Sequence, residues 1–126
     1  MRTRTPIVLL VLDVLLVVLF AAIGRSSHEE GLTLLGVAKT AAPFLVGLGL
    51  GWAAVRSRGL AAAAPTGTAI IWLVTVAGGM VVRRLFGEGT AWSFVIVSLI
   101  TLGLFLLADR FVLRTLGRRA GAASHG

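Results

Sequence analysis

The sequence predicts an all-α polytopic membrane protein with four transmembrane helices and both termini in the cytoplasm. It contains four apolar runs of about 17–22 residues, each long enough to cross a hydrocarbon core of roughly 30 Å. Only 13% of its 126 residues are charged, against roughly 25% in a typical soluble domain, and the mean hydropathy is +0.98. The basic residues also collect on one side of the predicted spans. We therefore expect a single membrane domain, residues 1–126, with no separate soluble domain.

The first helix is predicted over residues 6–23, with Asp13 in its middle. The apolar run is longer than the 7–15 residues of a signal-peptide core and Asp13 interrupts it, so we expect a retained membrane helix. A carboxylate at that depth costs a few kcal/mol on insertion scales, so Asp13 is expected to face other protein.

The second helix is predicted over residues 32–55 and carries a ridge that repeats every four residues: Lys39, Pro43, Gly47 and Gly51. Gly47 and Gly51 form a GxxxG pair, which permits the close approach of another helix. Lys39 either pairs inside the bundle or extends its charge to the nearer interface. We expect Trp52 to anchor the far end of the span at the membrane interface.

The third helix is predicted over residues 66–86, and small or polar residues form one stripe along it: Thr68, Trp72, Thr75, Gly79 and Arg83. The fourth helix is predicted over residues 91–109, with Ser98, Thr101, Phe105 and Asp109 on one face. We expect the remaining basic tail, residues 110–126, to lie on the bilayer surface with its arginines against anionic lipid.

The orientation follows from the distribution of lysine and arginine, because cytoplasmic loops of membrane proteins are enriched in both. The predicted cytoplasmic side carries Arg2, Arg4, Arg56, Arg58, Arg110, Arg114, Arg118 and Arg119, and the other side carries Arg25, Lys39, Arg83 and Arg84. This bias predicts a multi-pass protein of the bacterial plasma membrane, with both termini inside.

Two candidate sites and one packing surface follow. Helical heights at roughly 1.5 Å per residue place Asp13, Thr75 and Thr101 in one layer, with Lys39 about 9 Å higher, and these four form the candidate intramembrane polar site. The candidate outer-mouth site consists of Arg25, His28 and Arg83. The candidate helix-packing residues are Pro43, Gly47, Gly51 and Gly79. Any functional cavity is expected in the outer half, above Pro43.

The composition argues against several kinds of chemistry. The absence of cysteine excludes disulfides and thiolate ligands. His28 is the only histidine near a span, so we expect no haem held by two histidines of one chain, no other cofactor and no metal. We expect no enzyme, because no nucleophile–base arrangement is present. The net charge of +7 is assigned to anionic lipid rather than to nucleic acid.

The first hairpin resembles a known family. Its elements are Asp13, the stretch FAAIGR at 20–25 followed by His28, and TAAPFLVG at 40–47. They are similar to a family of small four-helix integral membrane proteins of bacteria and archaea, catalogued as domain of unknown function 3054. The resemblance covers roughly residues 6–114. It implies a four-helix membrane protein and carries no activity.

Three functions stay open at this point. The first is a non-catalytic protein that packs with itself or with a membrane partner through the GxxxG ridge. The second is a small proton- or cation-coupled transporter or channel subunit that uses Asp13. The third is a lipid- or anion-binding site at the outer mouth, built from Arg25, His28 and Arg83.

Overall fold

The protein folds into four α-helices, as a computed structural model of residues 4–26, 33–89 and 91–125 describes them. The helices are α1 (Arg4–Ser26), α2 (Leu34–Ser57), α3 (Pro65–Leu85) and α4 (Trp92–His125), and no strand occurs in these three ranges. Each helix is long and apolar enough to cross a membrane. The predicted all-α class with four spans is therefore confirmed, and the starts of all four helices lie within two residues of the predicted ones.

The four helices form a closed ring in which each packs against two others. α1 lies beside α2 and α4, and α3 lies between α2 and α4. The core is aliphatic and aromatic, with Val17, Phe44, Ile71 and Leu102 fully buried. Leu15, Leu50, Val81 and Leu104 point outward and are about half exposed or more. Because a bundle in water would hide such side chains, this surface is typical of helices that face lipid.

The closest helix pair is α2 with α3, and glycines make it possible. A Cβ on Gly47 would lie 2.5 Å from the Thr75 carbonyl oxygen, and one on Gly51 would lie 3.0 Å from Ile71 Cα. The Phe44 ring packs onto Gly79 of α3, where an added Cβ would lie 2.5 Å from Phe44 Cδ1. The ridge of α2 thus lies directly on the backbone of α3.

Helix α4 is much longer than the sequence patterns indicated. The predicted helix ended at residue 109, whereas α4 continues to His125 as one helix of 34 residues. The tail contains four arginines and three alanines, which favour helix, and no proline to end it. At 1.5 Å per residue the helix is about 51 Å long, which exceeds a hydrocarbon core of roughly 30 Å.

The two ends of the bundle differ in their turns. The connection from α2 to α3 contains Gly59 at φ 69°, and the connection from α3 to α4 contains Gly87 at φ 78°. Both glycines follow a helix in the left-handed conformation that ends it. The α2–α3 end of the bundle, named after the first connection, also carries the start of α1. The α3–α4 end carries the second connection.

Candidate functional site

Asp13 lies in a fully buried charged cluster near the α2–α3 end. Arg110 of α4 donates to both of its oxygens, with Nη1 2.9 Å from Oδ1 and Nη2 3.2 Å from Oδ2. Trp52 of α2 donates its indole N–H to Oδ2 at 3.0 Å. Asp13 is 0% exposed and the Arg110 side chain 5%. The carboxylate therefore has a two-point ion pair and an additional donor, the arrangement that a buried charge requires.

A second carboxyl group, that of Asp109, shares the same guanidinium. Arg110 Nη1 lies 2.9 Å from Asp109 Oδ1, while Asp109 Oδ2 is buried and has no hydrogen-bond partner. The Asp109 side chain is only 4% exposed. Asp13, Trp52, Asp109 and Arg110 are called the charged cluster below. It holds two carboxyl groups and one cation.

The local chain explains why Arg110 turns inward. α4 continues through residue 109, so Arg110 stays on the helix surface that faces α1. Its Nε donates to the Ala62 carbonyl at 3.1 Å, and its Nη1 also lies 3.3 Å from the Leu106 carbonyl. The Ala62 carbonyl in the α2–α3 connection also accepts from Thr68, at 3.2 Å. The guanidinium thus links α1, α4 and this connection.

The candidate intramembrane site of the sequence is not assembled as expected. Lys39 is exposed, and Asp13 is bonded to Arg110 and Trp52 instead. Thr75 is buried beside Gly47 and its hydroxyl has no partner, while Thr101 is half-buried. Lys39 lies about 9 Å from Asp13 along the bundle axis by the helical heights, so α2 would have to tilt for the two to meet. The Arg110 side chain of α4 reaches Asp13 directly.

The candidate outer-mouth site is only partly described. Arg83 forms an ion pair with Glu88 at 3.1 Å, donates to the Gly89 carbonyl, and stacks 4.5 Å above the Phe94 ring. Arg25 belongs to the last turn of α1, and His28 lies outside the described residues. Arg83 therefore holds the turn between α3 and α4.

A groove of about 720 Å³ lies between α3 and α4. Its apolar wall includes Ala69 and Trp72 of α3 and Gly103, Leu104 and Leu107 of α4. Arg110 and Arg114 line it together with Ala63 and Pro65, at the α2–α3 end. The arginine-lined end of this groove lies in the half opposite to the one, above Pro43, where a functional cavity is expected. A smaller cavity of about 500 Å³ lies towards the α3–α4 end, beside Met80 and Trp92. The glycine ridge fills the space beside Pro43, because Phe44 packs onto Gly79 there.

One hydrogen bond shapes the wall of this groove. Trp72 donates its indole N–H to the Leu99 carbonyl at 2.8 Å, and its ring lies against Gly103. A Cβ on Gly103 would approach Trp72 Nε1 to 3.0 Å. The groove is therefore framed by a fixed aromatic ring rather than by loosely packed aliphatic side chains.

Sequence reasoning missed two members of the charged cluster. Trp52 was expected at the membrane interface and Arg110 on the bilayer surface, but Trp52 is 5% exposed and Arg110 is 6% exposed. The sequence places Asp109 on one helical face with Ser98, Thr101 and Phe105, and the adjacent Asp109–Arg110 pair was the available signal. A buried carboxylate in one helix requires a cation, and Arg110 directly follows a residue that shares a face with other polar side chains.

Comparison with known families gave one match. The sequence model of one protein family, described as a protein of unknown function (DUF3054), matches residues 10–113. No curated protein and no solved structure matches the chain. The matched region includes Asp13, Trp52, Asp109 and Arg110, and so the whole charged cluster. The family resemblance seen in the first hairpin is confirmed, and the chain belongs to the DUF3054 family of proteins of unknown function.

Proposed function

We propose that the protein is a non-catalytic integral membrane protein that binds an anionic phospholipid in the groove between α3 and α4. The observation that carries this proposal is a groove of about 720 Å³ whose wall is apolar and whose one end carries two arginines. The volume falls within the range of ligand pockets, roughly 300–1,000 Å³. An apolar groove with a cationic end is complementary to an acyl chain below an anionic headgroup.

The two arginines have different roles in this proposal. All three guanidinium nitrogens of Arg110 are bonded to protein oxygens. Arg114 lies one turn further along α4 and is exposed. In this proposal the end of the groove beside Pro65 lies at the membrane surface, which puts Arg114 at the level of the headgroup phosphates. Arg114 is therefore assigned to the phosphate, and Arg110 to the wall.

The proposed setting is the bacterial plasma membrane, with both termini in the cytoplasm. Eight of the twelve lysines and arginines lie in the segments assigned to that side, in agreement with the positive-inside rule. The inner leaflet is rich in anionic lipid. The arginines line the groove at the α2–α3 end, which belongs to that side in this orientation.

The test uses quenching of Trp72, which lines the groove, by phospholipids with brominated acyl chains. A Trp92→Phe background removes the indole that is 82% exposed, and Trp52 is buried. We expect brominated phosphatidylglycerol to quench at a lower mole fraction than brominated phosphatidylcholine, by about fivefold, since one arginine near the surface contributes about 1 kcal/mol. Equal quenching by both lipids would refute the proposal.

Two matched pairs of variants locate the binding. Arg114→Gln should remove the preference for phosphatidylglycerol, and Arg56→Gln, an exposed arginine that does not line the groove, should retain it. Ala69→Leu should fill the groove and reduce quenching by both lipids. Ala77 of α3 lines a smaller cavity and not the groove, so Ala77→Leu should leave the quenching unchanged. Loss of the preference in Arg56→Gln would indicate a general charge effect.

A second candidate function is proton-coupled transport through Asp13, which the burial of the charged cluster favours. Under this alternative Asp13→Asn abolishes proton-linked flux in liposomes while the protein stays folded. The bonding of both Asp13 oxygens supports a structural role instead, because a coupling carboxylate must release its partners in each cycle. Unchanged proton-linked flux in Asp13→Asn would exclude Asp13 as the coupling carboxylate.

A further inference from the structure

The charged cluster contains two carboxyl groups but only one cation. Asp13 and Asp109 both contact Arg110 Nη1, each at 2.9 Å. If both carboxyl groups were ionised, the cluster would have a net charge of −1 in a region that is almost fully buried. An uncompensated charge in such a medium costs several kcal/mol, so buried acids either acquire a partner or remain neutral.

The hydrogen bonds identify the atom that lacks a partner. Asp13 Oδ1 accepts from Arg110, Asp13 Oδ2 accepts from Trp52 and Arg110, and Asp109 Oδ1 accepts from Arg110. Asp109 Oδ2 accepts from nothing, although the Asp109 side chain is only 4% exposed. Three of the four carboxyl oxygens therefore have donors, and the orphan atom belongs to the acid with fewer bonds.

No other charged group of the described chain reaches the cluster. α1 contributes Asp13, and α4 contributes Asp109 and Arg110. α2 contributes the uncharged indole of Trp52, and its Lys39 and Arg56 are exposed. The only charged residues of α3, Arg83 and Arg84, lie at its other end. The α2–α3 connection contributes the Ala62 carbonyl, and its Arg58 is exposed, as is Arg114 of α4.

We propose that Asp109 Oδ2 is a proton-binding site, so that at neutral pH the cluster holds a neutral Asp109, an ionised Asp13 and the Arg110 cation. The proton forms an O–H bond at the one oxygen that has no donor, and the cluster becomes neutral overall. The two carboxyl groups bond the same guanidinium nitrogen and therefore lie side by side, so that two negative charges there would repel each other. A water molecule at Oδ2 would satisfy the oxygen but would leave the negative charge. This proposal is independent of the lipid proposal.

The composition of the chain permits a direct test. Asp13 and Asp109 are its only aspartates. Growth on aspartate labelled with ¹³C at the side-chain carboxyl therefore gives two signals in the full-length protein in lipid nanodiscs. At neutral pH we expect one signal at the position of a protonated carboxyl and one at that of a carboxylate. Two carboxylate signals at neutral pH would overturn the proposal.

Assignment and controls use the same sample. Asp109→Asn should remove the protonated signal and leave the carboxylate signal, since asparagine has the shape of the neutral acid. If the protonated signal survives in Asp109→Asn, the proton belongs to Asp13 and the proposal is wrong. Replacing sodium by potassium or by choline should leave the wild-type spectrum unchanged. A signal that shifts with the alkali cation would identify a metal-ion site and would also overturn the proposal.

A stability measurement gives an independent readout should the spectra overlap. The folded wild type holds a proton at Asp109 that the unfolded chain releases above the ordinary pKa of aspartate, about 3.9. Its resistance to unfolding in denaturing micelles should therefore fall as the pH is raised from about 4 towards neutrality. Asp109→Asn has no proton to lose at this atom and should keep its resistance over the same range. An equal fall in both proteins would refute the assignment.

Discussion

Arg110 directs all three of its guanidinium nitrogens to protein oxygens, and so connects residues that lie far apart in the sequence. It reaches Asp13 and Ala62, which are 97 and 48 positions away. A planar guanidinium can bond two carboxyl groups and a carbonyl at once, which the single ammonium of Lys39 cannot do with the same geometry. The residue that neutralises Asp13 is thus selected by hydrogen-bond geometry as well as by charge.

At the residue scale we predict that Arg110→Met is strongly destabilising. It leaves two buried carboxyl groups without their cation, and removing one partner of a buried pair costs about 3–5 kcal/mol. Unfolding in mixed micelles of dodecyl maltoside and sodium dodecyl sulfate measures the change. Arg114→Met, an exposed arginine one turn along the same helix, is the control and should unfold as the wild type does. Similar behaviour of the two variants would contradict a structural role for the cluster.

The sequence could predict that Asp13 is buried, but not which cation it bonds. Hydropathy and the depth of Asp13 in the first span require a protein environment. Lys39, Arg83 and Arg110 all had the right charge, and the choice among them depends on side-chain reach and on how far α4 stays in contact with α1. Those quantities are tertiary, so they become visible only when the helices are assembled.

At the scale of the element, α2 combines two different surfaces. Its buried side carries Pro43, Gly47 and Gly51, while Gly49 and Lys39 are exposed. The four-residue spacing predicted one ridge, and from Pro43 to Gly51 the ridge is buried. Lys39 departs from it because the first turns of α2 are largely exposed, as Leu34 and Leu35 also are.

At this scale we predict opposite effects for two alanine substitutions in α2. Gly47→Ala places a Cβ 2.5 Å from a backbone oxygen of α3, and overpacking of this kind costs about 1–3 kcal/mol. Gly49→Ala has nothing within 4 Å and should be neutral or stabilising, since alanine favours helix over glycine. Thermal unfolding in detergent compares the two variants. A stable Gly47→Ala protein would contradict the close packing of α2 on α3.

Helix bounds show where local sequence patterns stop being informative. The ends of α2 and α3 were predicted to within two residues, because Gly59 and Pro65 mark the connection after α2 and Gly87 marks the turn after α3. The end of α4 was missed by sixteen residues, counting from 109 to 125. The basic residues there suggested the membrane boundary, but a change from lipid to water does not by itself end a helix.

At the scale of the whole molecule, the ring of four helices is closed by the contact between α1 and α4. The charged cluster lies on that contact and adds α2 through Trp52. The groove lies between α3 and α4, on the outside of the same ring. The Arg110 side chain therefore belongs to both sites: it lines the proposed lipid groove and bonds the two carboxyl groups of the charged cluster.

At this scale we predict that the two ends of the bundle lie on opposite sides of the membrane, with the α2–α3 connection inside. The chain has no cysteine, so a thiol reagent labels only a cysteine that is introduced by substitution. Ser57→Cys should react with a membrane-impermeant maleimide only after the cells are opened, and Gly89→Cys should react in intact cells, as both positions are exposed. The reverse pattern would invert the predicted topology.

The pairing of Asp13 with Arg110 also imposes an order on biogenesis. The carboxyl group of α1 is synthesised 97 residues before its cation, which at 5–20 residues per second corresponds to roughly 5–20 s. During that interval α1 is in or near the membrane with an uncompensated acid, which favours its retention beside the insertion machinery or its entry in protonated form. A chain interrupted before α4 can never neutralise Asp13 in this way. An incomplete protein therefore keeps a carboxyl group in its first span without the cation that neutralises it in the folded protein.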